Sequence, residues 1–150
     1  MILETRKFYL AHPYADESFI RVWQIKTQEK IDTQNINVFL YNPFYDSGMC
    51  YNQMFKDKLI GANEFPAEII VPNDLNNIKT SDVLVAILLS YQRTIGTFME
   101  VALAKIQNPD IKVYVVSPSE FVRTHIWVKY FSDKVFSRIA DFENEILFKP

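Results

Sequence analysis

Glu100 is the residue around which chemistry is most readily built. It stands in TIGTFMEVALAK, Thr94 to Lys105, with Phe98, Met99, Val101, Ala102 and Leu103 as neighbours and Gly96, the one glycine in the second half of the chain, just upstream. If Gly96 and Thr97 form the turn out of a strand, Glu100 falls in the first turn of the next helix, where unbonded N–H groups and the helix dipole favour an ionised carboxylate. Such a group facing a cleft is a candidate nucleophile or base. A first-turn glutamate pointing to water fits the same composition, because acids are common there. Asp74, in PNDL, is the second carboxylate of interest. Two carboxylates in surroundings of different polarity can divide labour, one ionised as nucleophile and one protonated as acid, which is the logic of retaining glycosyl transfer. Taken alone, Asp74 fits a helix N-cap equally well, and Asp82, in TSD, reads as a loop or capping residue.

The elements that must position these groups follow from hydrophobic periodicity. KFYLA, Lys7 to Ala11, predicts a buried strand that stops at HPY, where Pro13 turns His12 away from helix. Ile20, Trp23 and Ile31 fall on one stripe of a helix expected from Asp16, a candidate N-cap, to about Asp32. INVFLY, Ile36 to Tyr41, predicts a second strand, closed by the turn residues of NPFYDSG. Tyr51 to Gly61 is compatible with helix, and FPAEIIVPNDLNNIK predicts helix that Pro72 interrupts or restarts, with Asp74 near the restart. Val83 to Leu89 is apolar on both faces, as expected of a central parallel strand. A helix from about Thr97 to Gln107, a strand KVYVV from Lys112 to Val116, a short strand around Val135 to Ile139 and a closing helical turn or two complete the pattern. Alternating strands and helices predict an α/β fold, a doubly wound and mostly parallel sheet of five strands with helices on both faces, in a single domain spanning 1–150.

In such a sheet, ligands bind beyond the carboxyl ends of the strands. That rule selects His12, Pro13 and Tyr14, the segment from Asn42 through Phe44 to Asp46, the segment from Ser90 through Thr94 and Gly96 to Glu100, and the residues from Ser117 onward. His12, His125 and the lone Cys50 have no metal-ligand spacing, and no metal or cofactor is expected. Neither a dinucleotide nor a phosphate-loop glycine pattern is present, and Ser117 and Ser119 lack the context of a nucleophile elbow. The 16 basic and 18 acidic residues are scattered, giving a net charge of −2, which argues against a nucleic-acid polymer as partner. A single cysteine fits a reducing compartment, and MILETRKFYLAH reads as neither a signal peptide nor a membrane span. These features predict a cytoplasmic protein.

KFYLAHPY, PNDLNNIKTSDVLVAIL and IGTFMEVALAK, in that order and spacing, resemble the nucleoside 2-deoxyribosyltransferases and the related nucleotide N-glycoside hydrolases. The resemblance runs from about Lys7 to Val116 and more faintly through HIWVKYFSDKV. It implies a flavodoxin-like sheet and exchange of the base on a 2-deoxynucleoside through a covalent sugar–enzyme intermediate. It also implies that Glu100 attacks C1′, Asp74 handles the proton of the departing base, Tyr9 holds the Glu100 carboxylate, and Tyr14 walls the base. It further implies a homo-oligomer in which a neighbour's C-terminal segment completes the site. The family's sugar-binding aspartate is replaced here by Thr94. Arg123, His125 and Lys129 stand where neutral groups are expected, so they suit a 5′-phosphate; a solvated basic face is the alternative. Three functions compete: a base-exchanging transferase, a nucleoside 5′-monophosphate hydrolase and a nucleotide-binding module without turnover.

Overall fold

The computed structural model of the protein describes residues 4–47, 67–90 and 92–149; the helix considered for Tyr51 to Gly61 lies outside them. Five strands, β1 (Arg6–Ala11), β2 (Val38–Tyr41), β3 (Val83–Ile87), β4 (Lys112–Val116) and β5 (Lys134–Phe136), form one sheet in the order β2-β1-β3-β4-β5. Every pairing is parallel. The chain winds outward from β1 to β2 and then crosses back to β3, so the strand order reverses between β1 and β3 at the centre of the sheet. This is the flavodoxin-like arrangement, with its binding crevice expected at that reversal.

The helices are α1 (Glu17–Thr33), α2 (Ala67–Lys79), α3 (Ile95–Gln107), α4 (Glu120–Thr124), α5 (Ile126–Phe131) and α6 (Ile139–Phe142), the last running into a π-helical turn. Side chains alternate across a strand, so β1 divides the core in two. Phe8 and Leu10 pack with Ile20, Trp23 and Ile31 of α1 and with Phe142. Tyr9 and Ala11 face the opposite layer, with Ile78 of α2, Val101 and Ala104 of α3, and Val122 and Val128 of α4 and α5. A shift of one residue in β1 would exchange these layers and carry Tyr9 away from α2 and α3. The expected stripe of α1 is buried as read. That helix also protects the edge strand: Gln28 donates to the Val38 carbonyl and accepts from the Leu40 N–H, both at 2.9 Å, so a free sheet edge is satisfied internally.

Several boundaries differ from expectation. β2 begins at Val38, after a turn in which Asn35 has φ 56°. Pro72 lies inside a continuous α2 and neither ends nor restarts it. Ile139 opens α6, and β5 stops at Phe136. HIWVKYF forms α5, in which only Val128 is buried.

Candidate active site

Tyr9, Glu100 and Asp74 meet on the α2/α3 side of the sheet. β1 buries Tyr9 completely and points it at α3. On α3 the buried residues are Thr97, Val101 and Ala104. Glu100 follows Thr97 by three positions and precedes Ala104 by four, so helical spacing places it on the same face. The Tyr9 hydroxyl donates to Glu100 Oε2 at 2.5 Å, the short length of a bond to a charged acceptor. Asp74 is one turn before Ile78, the buried residue of α2, and α2 packs against α3. That spacing carries the Asp74 carboxyl inward, where Oδ1 is buried without a hydrogen-bond partner. Its charge acts on both Tyr9 and Glu100.

Burial governs the protonation of the pair. Desolvation lifts Asp74 from its ordinary 3.8 to about 7. Glu100 rises from 4.5 to about 8 through desolvation first and the Asp74 charge second, against the lowering effect of the Tyr9 hydrogen bond. The expectation of a first-turn glutamate kept ionised by its helix end is therefore corrected: α3 starts at Ile95, which puts Glu100 in the second turn, and loss of water outweighs the dipole. Gly96 is likewise not the turn. It lies in the first turn of α3, and the left-handed residue before the helix is Arg93, with φ 56°. Asp74 sits within α2 and caps nothing. Because part of the rise at Glu100 comes from the Asp74 charge, one proton placed on Asp74 relieves that part. The two carboxyls thus titrate as a coupled pair that can hold one proton between them.

A second group gathers at the carboxyl ends of β1, β2 and β3. His12 is buried, and its Nδ1 lies 2.8 Å from the Leu10 carbonyl. Burial pushes the imidazole down to about 4. Its ring is 5.0 Å from Phe44, which is 5.7 Å from Tyr14. Asn42 is fully buried and builds this loop: its Oδ1 accepts from the Phe44 N–H at 3.0 Å and its Nδ2 donates to Gln24 at 3.1 Å. Asp16 occupies the N-cap position of α1 but makes no side-chain cap. Its Oδ2 instead accepts from the N–H groups of Leu89 and Ser90, at 2.9 and 3.1 Å, tying the end of β3 to the loop after β1. The Ser90 hydroxyl is buried with no partner among the described residues.

Comparison with solved structures bears on this arrangement. A 2-deoxyribosyltransferase from the psychrotolerant bacterium Bacillus psychrosaccharolyticus matches with a TM-score of 0.62 at 21% identity, over 92% of this chain and 90% of that one. The chain shares that protein's fold. No protein-family model and no curated protein matches the sequence.

The remaining candidates lie at the start of α3 and on α4 and α5. Thr94 is the N-cap residue of α3, without a side-chain cap bond. It lines an apolar groove of about 440 Å³ between α3 and α4/α5, together with Phe98, Met99, Phe121, His125 and Trp127. Neither Glu100 nor Asp74 lines that groove. Arg123 donates to the Ser117 carbonyl at 2.7 Å. His125 caps α5 through Nδ1, and both His125 and Lys129 are exposed. Two contributors escaped the sequence reading. Tyr41 stacks on Tyr9 at 5.6 Å, a contact implicit in the parallel pairing of Tyr9 with Tyr41. The long-range role of Asp16 had no local signal, because its sequence context is that of an ordinary cap. Among the described residues no group of three or more His, Cys, Asp or Glu could hold a metal ion, and no helix is long and apolar enough to cross a membrane.

Proposed function

We propose that the protein cleaves the N-glycosidic bond of nucleosides and transfers the sugar, a deoxyribosyl group, to another nucleobase. The observation that carries this reading is the Tyr9 hydroxyl on Glu100 Oε2 with the Asp74 carboxyl in electrostatic reach of both. Tyr9 occupies one oxygen of Glu100 and leaves Oε1 to attack C1′. As the bond to the base breaks, the base takes its electron pair and the proton of Asp74, and a glycosyl ester forms on Glu100. The incoming base then attacks C1′, loses a proton to Asp74 and frees Glu100. A carboxylic acid near neutrality suits Asp74 for this exchange, and the fold shared with a 2-deoxyribosyltransferase is consistent with it. The scheme calls for no cofactor or metal.

The test is to incubate the protein with a deoxynucleoside, with and without a free acceptor base, and to separate bases and nucleosides by chromatography. Product that requires the acceptor supports transfer. Glu100→Ala is expected to lower the rate by on the order of a thousandfold or more while the circular dichroism spectrum stays unchanged. An unchanged rate would sink the mechanism. A second reading, hydrolysis of nucleoside 5′-monophosphates on the same glutamate, is favoured by Arg93, which stands just before α3; free base formed without an acceptor would select it. Binding without turnover would select a nucleotide-binding module.

A further inference from the structure

His12 holds a buried polar atom that the proposed chemistry does not use. Among the described residues its Nε2 has no hydrogen-bond partner, although only 4% of the residue is exposed. The other ring nitrogen fixes what Nε2 can do. A carbonyl oxygen only accepts, so Nδ1, at 2.8 Å from the Leu10 carbonyl, carries the proton. The ring is neutral because desolvation holds its pKa low against the opposing effects of Leu10 and Asp16. A neutral imidazole protonated on Nδ1 presents a lone pair at Nε2, and an unmet buried acceptor costs free energy until a donor reaches it. Two further unpartnered oxygens stand at the same edge, Ser90 Oγ and Glu17 Oε1. The Glu17 oxygen is an acceptor and the Ser90 hydroxyl can be one, so the edge is provided with acceptors.

The ring contacts indicate which part of a ligand arrives there. His12, Phe44 and Tyr14 form a run of tilted aromatic rings at the ends of β1 and β2, in which the partly exposed Phe44 and Tyr14 lead to the buried His12 and offer ring faces to a flat heterocycle. Resting on the reading of the protein as a nucleoside enzyme, we propose that His12 Nε2 accepts a hydrogen bond from the exocyclic amino group of the base. The site then selects amino-bearing bases, adenine and cytosine, over the oxo-bearing hypoxanthine and uracil, whose carbonyl oxygen would face the same lone pair. His12 is here a specificity residue of the base pocket.

Equilibrium titration of the full chain with the four free bases tests this without requiring turnover. Wild type is expected to bind adenine about tenfold more tightly than hypoxanthine, and cytosine more tightly than uracil by a similar factor. His12→Phe keeps an aromatic ring, removes the acceptor and should erase both preferences. His12→Gln, whose amide can present either its oxygen or its NH₂, should narrow them, and it serves as the second variant if His12→Phe fails to fold. A preference that persists unchanged in the variants, or is absent from wild type, overturns the proposal, as does failure of every free base to bind. If the variants weaken nucleosides but leave free bases unaffected, Nε2 meets a sugar hydroxyl and the assignment to the base is wrong. An amino preference that depends on His12, in a protein showing no glycosyl transfer or hydrolysis, would support this inference while rejecting the proposed reaction.

Discussion

Asp74 and Glu100 are acids made weaker by their surroundings, and that has a consequence for stability as well as for catalysis. Asp74 titrates near its ordinary 3.8 in the unfolded chain and at about 7 in the fold. Between those values the folded protein binds more protons than the unfolded one, so stability falls as pH rises through the window. Glu100 adds to the trend in the same direction up to about 8. Asp74→Asn removes the Asp74 contribution. Its melting temperature relative to wild type is expected to climb from pH 4 to pH 7, the span of the Asp74 shift, and a constant offset across that range would contradict the burial of this group. Activity should move the opposite way, falling by about a hundredfold or more when the acid is lost. A gain in stability coupled to a loss of rate is the behaviour expected of an active-site carboxylate held in an unfavourable place. His12 belongs to the same class of costly group, since its buried Nε2 meets no partner among the described residues.

At the scale of elements, α3 shows how a candidate residue can be singled out on an inaccurate local picture. Gly96 next to Thr97 reads as a turn because glycine commonly ends regular structure. The helix nevertheless begins at Ile95, and a Cβ built on Gly96 meets nothing within 4 Å. The exposed Gly96→Ala is therefore expected to stabilise the protein by roughly 0.4–1 kcal/mol, chiefly by restricting the unfolded chain. Chemical denaturation measures this directly; destabilisation would restore the turn reading. Pro72 carries a parallel lesson. It removes one N–H from the α2 ladder, but α2 continues through it, because packing against α3 and the burial of Ile78 outweigh one missing bond. Continuity through Pro72 is what places Asp74 one turn before Ile78, on the inward face. The strands were more legible than the helices: β4 is Lys112–Val116 as read, and Val83 to Ile87 are all buried. An unbroken apolar run needs two covering layers wherever it lies. Helix ends depend on single capping contacts that composition resolves poorly.

On the scale of the whole molecule, several of the most exposed apolar side chains among the described residues gather at one place. Phe121, Ile126, Trp127 and Tyr130 are each more than 60% exposed, at 75, 75, 63 and 81%. They surround the groove between α3 and α4/α5 and the adjoining surface of α5. A patch of large aromatic and aliphatic side chains is the composition of an interface centre, and the homo-oligomer that the family resemblance implies would need such a face. Trp127→Glu is expected to shift the sedimentation coefficient toward a smaller species, and a wild-type protein that sediments as a monomer would refute the oligomer.

The sequence by itself determined the layered α/β architecture, the strands at the centre of the sheet and the candidates Tyr9, Asp74 and Glu100. The architecture and strands are consequences of periodicities of two and of about 3.6 residues, which act over short stretches of chain; the two carboxylates became candidates by residue type, and Tyr9 through the family resemblance alone. Only the tertiary structure decided that Tyr9 bonds Glu100 across 91 residues of sequence, that both carboxylates titrate near neutrality, that Asp16 fixes the end of β3, and that His12 keeps one nitrogen unmet. Each of these depends on how much water is excluded and which charges come together, and those quantities are set by segments distant in the chain.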